Sequence, residues 1–557
     1  MQKQARRLFY VGQCLRPVPT TRTPTTIKHT PNRDERAQAD SLHSYIKMKS
    51  TLLLLFFASL SAFGGEKPNI LLILTDDLGY SDLGSYGSEI ETPVLDRLAD
   101  NGLRFNSFYS TAKCHSSRVS LLTGRWSRQA GDESLKRAVT LPEVLQTAGY
   151  FTTMTGKWHL KKEPTDFGFQ RYWGHLSGAT HFFKGDDTFR LNGEKWEVPE
   201  KDFYTTTANA DYALRFIAEA REKENPWLCY MAFNAPHAPL HALEEDYRKY
   251  EGRYAKGWDA IRDDRIDRQK AMELFGKDFT PSARPGHLPA WKDLPEETKH
   301  WEEKRMTTLA AMIDRVDQEI GRVVADLEAK GELDNTIILF FSDNGACPYD
   351  RHNIRPDLMP WDSRTRWTDS TGWAWARNTP FRFYKQNQYE GGASTPAIVH
   401  WPAGLKTEPG AIINDPAHLV DILPTLAEIA GADIPMTWPG REPTPLAGVS
   451  LKPILEGKQL ASRPPIFLLH NRDRGLRDGD WKLVSFRSKA WELYNLAEDR
   501  CETNNLADKH PEIVERMTKE WHRMAKEEVL ATDREQRPVS DESPPHIHRE
   551  WTFSRKK

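Results

Sequence analysis

The stretch Pro68-Asn69-Ile70-Leu71-Leu72-Ile73-Leu74, followed by Thr75-Asp76-Asp77, decides the fold. A continuous apolar run of this kind predicts a strand buried on both faces, as in a parallel sheet. Thr336 to Phe341 (TIILFF) repeats the pattern and also ends in acid and amide, at Ser342-Asp343-Asn344-Gly345. Phe151 to Met154 and Trp227 to Phe233 predict two further strands. Helices are predicted between them. Thr92 to Gly102 has a Thr cap, Pro at the first turn and Gly at the end. Val144 to Ala148 lies in a second helix, and Trp301 to Lys330 forms a long amphipathic one. Strands alternating with helices imply an α/β fold, here a large mixed, mostly parallel sheet sandwiched by helices. This domain is expected over 66–435, with residues 240–300 as a charged, irregular insertion. Residues 346–377, which hold Trp361, Trp367, Trp373 and Trp375, are expected to form a long loop over a site. Beyond it, Ile466 to Leu469, Trp481 to Phe486 and Trp491 to Tyr494 predict short antiparallel strands, followed by a helix near Pro511 to Glu528. They place a smaller α+β domain with an antiparallel sheet at 436–540, and a polar tail follows at 541–557.

The 557 residues carry 77 Lys+Arg against 79 Asp+Glu, a formal net charge of -2. That balance excludes a nucleic-acid binder with a generally basic surface. Leu52 to Leu60 (LLLLFFASL) is the strongest apolar run and is too short to span a bilayer, so no stable membrane partner is expected. Lys47 and Lys49 precede it and Ala62-Phe63-Gly64 follows, which is the grammar of a secretory signal peptide over 48–65. Translation is expected to start at Met48. Residues 1–47, with nine Lys/Arg and three Asp/Glu, then form a non-native or disordered leader; a basic leader with a signal anchor is the alternative. The mature protein is expected to be periplasmic or secreted. Beyond the leader, Cys114, Cys229, Cys347 and Cys501 are widely spaced, without a C-x-x-C. They support neither a zinc ribbon nor a dense disulfide framework, and leave one disulfide or one functional thiol open. Cys229, in an apolar strand, is expected to pack.

In open α/β sheets, ligands collect beyond the carboxyl ends of the strands. Asp76, Asp77, Asp343 and Asn344 offer hard oxygen atoms there, which suit calcium, or less well magnesium, rather than zinc. One acid at a strand end could equally cap a helix. Two pairs in one sheet point to a metal.

Cys114 stands in Lys113-Cys114-His115-Ser116-Ser117-Arg118, followed by Leu122-Thr123-Gly124-Arg125. This segment resembles the signature of the type I sulfatases, in which the Cys is oxidised to the aldehyde formylglycine. Further segments match in order. Asp76-Asp77 resembles the first metal pair, and Gly156-Lys157-Trp158-His159-Leu160 a segment whose Lys contacts sulfate. Ala235-Pro236-His237-Ala238-Pro239 carries a second active-site His, and Ser342-Asp343-Asn344-Gly345 the second metal pair. Asn378-Thr379-Pro380-Phe381-Arg382-Phe383-Tyr384-Lys385 with Glu390-Gly391-Gly392 matches the segment whose Lys binds sulfate. The resemblance runs from about Lys67 to Leu493-Tyr494-Asn495-Leu496 and implies an alkaline-phosphatase-like fold. Two departures stand out. Ser116 occupies the position of the family's Pro or Ala, where a small residue must fit the maturation enzyme. Phe383 and Tyr384 replace smaller residues before Lys385.

The resemblance implies catalytic roles for Cys114, Arg118, Lys157, His159, His237 and Lys385, and a calcium ion on Asp76, Asp77, residue 114, Asp343 and Asn344. The chemistry suits these residue types. One hydroxyl of an aldehyde hydrate would attack sulfur while a cation stabilises it. Lys157 and Lys385 would neutralise the sulfate oxygens. His237, or alternatively His241, would protonate the leaving alcohol with Lys385 assisting, and His159 would take the proton from the second hydroxyl. Arg118 would hold the oxygens of residue 114 and offset the acidic metal site.

The expected substrate is a sulfated small molecule or, preferably, a sulfated glycan, with a formylglycine-generating enzyme as maturation partner. The four loop tryptophans either stack on sugar or pack the loop. His175, Ser177, His181 and Arg377 are further candidates for the pocket walls. Two other readings remain: a phosphodiester or phosphonate hydrolase on the same fold, and a non-catalytic sulfated-glycan-binding protein if Cys114 is not matured.

Overall fold

The computed structural model describes residues 67–538, apart from His352 and Ala461. The predicted leader, signal peptide and polar tail lie outside the described residues. One sheet of eleven strands organises the chain. In chain order its strands are β1 (Asn69–Asp76), β2 (Leu103–Tyr109), β3 (Phe151–Lys157), β4 (Arg171–His175), β5 (Phe189–Leu191) and β6 (Glu194–Lys195). They are followed by β7 (Trp227–Pro236), β8 (Thr336–Ser342), β9 (Ser394–His400), β10 (Ala411–Ile413) and β11 (Ala417–His418). The order across the sheet is β10-β2-β9-β8-β1-β7-β3-β4-β5-β6, with β11 on β2. The central strands β8, β1, β7, β3 and β4 are parallel, while β9 runs antiparallel to both β8 and β2.

The apolar run of β1 divides between two cores. Leu71 and Ile73 enter one, and Ile70, Leu72 and Leu74 the other. The first core packs against α1 (Pro93–Asp100), α4 (Thr205–Glu222) and the 34-residue α7 (Glu296–Ala329). The second packs against α2 (Cys114–Thr123), α3 (Leu141–Thr147) and α9 (Ile422–Ala430). This is the helix–sheet–helix sandwich expected of a buried parallel sheet. A second sheet is antiparallel: β12 (Ile466–His470), β13 (Asp473–Asp478), β14 (Trp481–Ser485) and β15 (Glu492–Asn495), followed by α10 (Pro511–Met524).

Two expectations need correction. Residues 240–300 are not irregular. They contain α5 (Glu244–Tyr250) and α6 (Gly257–Ala271), and α6 buries Arg262 and Arg265 in full. The buried charges disguise the inner face of that helix. Nor is 346–377 only a loop, because it ends in α8 (Thr371–Arg377), all of whose residues are buried. Among the described residues the four cysteines are unpaired, so no disulfide forms there. No described helix is long and apolar enough to cross a membrane.

Candidate active site

The sheet register brings distant acids together. Asp76 pairs with Pro236 of β7, and Thr75 with Ser342 of β8, so three segments leave the carboxyl edge side by side. Asp77 has a left-handed backbone, φ 68°, which Asp tolerates better than most residues. Its N–H donates to Asp343 Oδ1 at 3.2 Å, and Asn344 Nδ2 donates to Asp77 Oδ1 at 2.7 Å. Arg377, on α8, donates to the carbonyl of Asp77 at 2.8 Å and to Asp82 at 2.8 Å. It therefore braces the turn from behind rather than lining the cleft.

Cys114 is the first residue of α2, and Arg118 follows one turn later on the same face. The Arg118 guanidinium donates to the Lys157 carbonyl at 2.7 Å and lies 3.5 Å from Asp343. The Ser117 hydroxyl donates to the Asp343 carbonyl at 2.6 Å. The helix is thus bolted to the end of β8 through the residues that follow the cysteine. Ser116 turns its hydroxyl to Thr111 at 2.6 Å and to the Lys113 carbonyl at 3.1 Å, so its polar group is accommodated.

Lys157 ends β3 and forms an ion pair with Asp76, and Lys385 pairs with Asp77. Lys385 is delivered by a tightly folded strap. Asn378 Oδ1 accepts from Ala346 N at 2.9 Å, and Gly391 N donates to the Arg382 carbonyl at 3.0 Å. A Cβ at Gly391 would meet the Arg382 and Phe383 carbonyls at 2.3 and 2.4 Å, which explains the glycine there.

The electrostatics follow from this packing. Burial raises the Asp76 carboxyl, but the Lys157 ammonium together with His237 and Lys385 outweighs it and holds the group well below the usual carboxylate range. Asp77 is likewise lowered by Lys385 against burial. Asp343 goes the other way: burial and the Asp76 charge push it well above the usual range, and Arg118 compensates only in part. The Cys114 thiol is also buried, yet Lys385 and Lys157 draw it well below its usual value. Asp76 Oδ1, Asp77 Oδ2, Asp343 Oδ2 and Asn344 Oδ1 are all buried without a hydrogen-bond partner among the described residues. Ligand atoms of Asp76, Cys114 and Asp343 lie within 4.8 Å of one another, as do those of Asp76, Asp77 and His237. Orphaned buried oxygens are costly, and four at neighbouring strand ends make a set of hard donors that a divalent cation of the calcium or magnesium type would satisfy.

Two histidines border this cleft. His237 donates from Nδ1 to the Ala238 carbonyl at 2.6 Å, which leaves Nε2 facing Asp77 Oδ2 at 3.6 Å. Burial lowers its pKa, while Asp77 and Asp76 oppose that shift. His159 takes a left-handed backbone, φ 58°, and burial with the Lys157 charge brings its imidazole down to about 4. His115, which the motif reading passed over, completes a cluster with Cys114 and His159 within 4.8 Å. Its place directly after the cysteine was the signal available.

Other candidates lie elsewhere. His241 donates to the Thr365 carbonyl at 2.8 Å and stacks on His181 at 4.2 Å, so it pins a loop. His181 itself donates to the Ser363 carbonyl at 3.0 Å. His175 is buried against Ser177, whose hydroxyl donates to Asp186 at 2.8 Å. Trp367 and Trp373 are fully buried and Trp375 nearly so, which makes them packing residues rather than a sugar platform.

Comparison with known proteins agrees with this geometry. A sulfatase family model matches residues 68–432, and a model of the N-sulphoglucosamine sulphohydrolase C-terminal region matches 381–527. An uncharacterised sulfatase of Schizosaccharomyces pombe is 32% identical, over 82% of this chain and 93% of that protein. An arylsulfatase of Klebsiella aerogenes is 31% identical, over 72% and 94%. An N-acetylglucosamine-6-O-sulfatase of Bacteroides thetaiotaomicron is 28% identical, over 84% and 88%. Among solved structures, Ps i-CgsB in complex with k-i-k-neocarrahexaose shares the fold, with a TM-score of 0.62 at 24% identity over 83% of this chain and 94% of that one. Sequence motifs, sheet topology and family match therefore converge, and the chain belongs to the type I sulfatases of the alkaline-phosphatase-like superfamily, the sulfuric ester hydrolases.

Proposed function

We propose that the protein is an exported sulfatase that hydrolyses sulfate monoesters of a sulfated carbohydrate, using Cys114 matured to formylglycine. The observation that carries this reading is the set of four orphaned oxygens at the strand ends, on Asp76, Asp77, Asp343 and Asn344, with Asp76 and Asp343 within 4.8 Å of Cys114 and lysines paired to Asp76 and Asp77. Those four residues and residue 114 would hold one divalent cation, preferably calcium, which would supply positive charge to an oxygen nucleophile on residue 114. Lys157 and Lys385 present ammonium groups to the non-bridging sulfate oxygens, a preorganised neutralisation of developing charge. Arg118 keeps Asp76 and Asp343 oriented. His237, once protonated at Nε2, delivers that proton to the leaving alcohol oxygen, and His159, neutral at working pH, takes one from residue 114. Glycan preference is supported by relatives whose names specify sugar sulfates, such as the N-acetylglucosamine-6-O-sulfatase.

Protein from the native host should yield a Cys114 peptide whose mass is reduced by thiol-to-aldehyde conversion. It should also hydrolyse 4-nitrophenyl sulfate with a kcat/KM well above that for bis(4-nitrophenyl) phosphate. The opposite ranking would favour the phosphodiester or phosphonate reading. An unmodified thiol in protein that binds sulfated sugar without turnover would favour the binding-protein reading.

A further inference from the structure

With Trp367, Trp373 and Trp375 interior and the half-buried Trp361 packed on Tyr247 and Arg248, the alcohol half of the substrate must be recognised by other side chains. Two imidazoles line one cavity at the start of α2. The His115 ring stands edge-on to His159 at 5.9 Å, at the start of α2. His470 ends β12, on the C-terminal sheet, and the turn into β13 begins at Asn471. Asn471 has φ 53°, and its Nδ2 donates to His470 Nε2 at 3.0 Å. That bond makes Nε2 an acceptor, so His470 Nδ1 carries a proton. A cavity of about 140 Å3 lies between the two elements, lined among others by His115, Ser116, Arg128, His470 and Asn471. Arg128 is already paired with Asp132 and Glu535. Burial, with Lys113 and His115 close by, pushes the His470 imidazole down to about 3, so it is neutral at working pH. Recognition of a second anion would call for a guanidinium or ammonium, whereas His470, with Nε2 held by Asn471, offers a single Nδ1–H donor, which suits a hydroxyl oxygen.

We propose that His115 and His470 form the sugar-recognition site of this enzyme, gripping hydroxyls of a hexose ring that is uncharged apart from its scissile sulfate. The assignment rests on the sulfatase reading above and adds the residues that select the leaving alcohol.

The test uses full-length protein produced with a maturation enzyme and checked for conversion at Cys114. kcat/KM is measured for N-acetylglucosamine 6-sulfate, N-acetylgalactosamine 6-sulfate and 4-nitrophenyl sulfate. The wild type should cleave at least one of the sugars. His470→Ala and His115→Ala should each lower kcat/KM on that sugar by about 10- to 100-fold, the range for losing a buried hydrogen bond. The loss on the aryl sulfate should be at least about 10-fold smaller. His470→Gln, which keeps an N–H donor, should recover part of the loss, and unchanged melting temperatures exclude misfolding. Parallel losses on sugar and aryl sulfate would overturn the assignment, as would an unchanged preference or a wild type that cleaves only the aryl sulfate. A wild type inactive on all three would instead overturn the sulfatase reading itself.

Discussion

Two buried charge clusters in this protein use similar groups to opposite ends. In the cleft, Asp76, Asp77 and Asp343 face Lys157, Lys385 and Arg118. Where the main body meets the C-terminal sheet, Glu390 and Glu502 face Lys482 and Arg500. Charges of the two signs balance in number in both. The second cluster is nearly closed. Glu390 accepts from Lys482 at 2.6 Å and from Tyr109 at 2.9 Å, and its other oxygen is taken by Arg500. Glu502 accepts from Glu390 N at 2.8 Å, and its second oxygen lies 2.8 Å from Lys482. The cleft is more open: each of its three acids keeps an oxygen without a hydrogen-bond partner, whereas in the second cluster Glu502 Oε1 alone among the acid oxygens does, and it lies 2.8 Å from Lys482 Nζ. Balanced charge is therefore not satisfied charge. The closed cluster holds two sheets together, and the open one is free to bind.

This contrast makes removal of single groups informative. In the cleft, Cys114→Ala should lower kcat by at least about 10⁴-fold, as loss of a nucleophile does, while thermal unfolding changes little. In the closed cluster, Lys482→Met strands two carboxylates and should cost about 3–5 kcal/mol of stability, with kcat per folded molecule retained. Chemical denaturation followed by activity titration separates the two outcomes. If Lys482→Met instead removed activity without unfolding, the division between the clusters would collapse.

The closed cluster also has a pH signature. Burial raises the Glu390 carboxyl, but Arg500 and Lys482 outweigh it and hold the group at about 2, against an ordinary 4.5. A lowered folded pKa contributes stability that is present above the unfolded value and lost as pH falls through the folded one. Glu502 is pushed up to about 7 by burial, so its contribution runs the other way, weakening the fold as pH rises from 4.5 towards 7. Glu390→Gln should therefore remove the loss of stability between pH 4.5 and 2, on the order of 2–3 kcal/mol, in denaturant curves recorded at each pH.

The smallest effect is expected where a group is under-satisfied. Asp343, raised well above its usual range, is a poorly compensated buried acid. Asp343→Asn should stabilise chelator-treated protein by about 1–2 kcal/mol. It should also abolish most of the melting-temperature rise that calcium gives the wild type, a rise worth about 2.7 kcal/mol at a hundredfold excess over Kd. A destabilised Asp343→Asn that still responds to calcium would contradict the open-cluster reading.

The sequence by itself determined the central strands and the acids at their ends. β1, β7 and β8 are runs whose every residue faces a core, so composition alone marks them. β2, β9 and β13 escaped because LRFNSFY, STPAIVH and DRGLRD mix polar residues, a proline or arginines into buried strands. Arg474 and Arg477 of β13 are buried, Arg477 through a 2.7 Å bond to Tyr109, 368 residues away. For the same reason α6 reads as a solvated, charged segment, although its Arg265 is held by Asp82 and Glu89. The ordered motifs also named the residues of the cleft, since residues four apart on α2 share a face wherever that helix is placed. Tertiary structure alone decided that Asp77 meets Lys385 across 308 positions, that His241 pins a loop while His237 faces the acids, and that Trp367, Trp373 and Trp375 turn inward. The physical reason is that local periodicity records what a residue does to its neighbours in the chain, whereas the satisfaction of a buried charge depends on partners that only the folded sheet brings within reach.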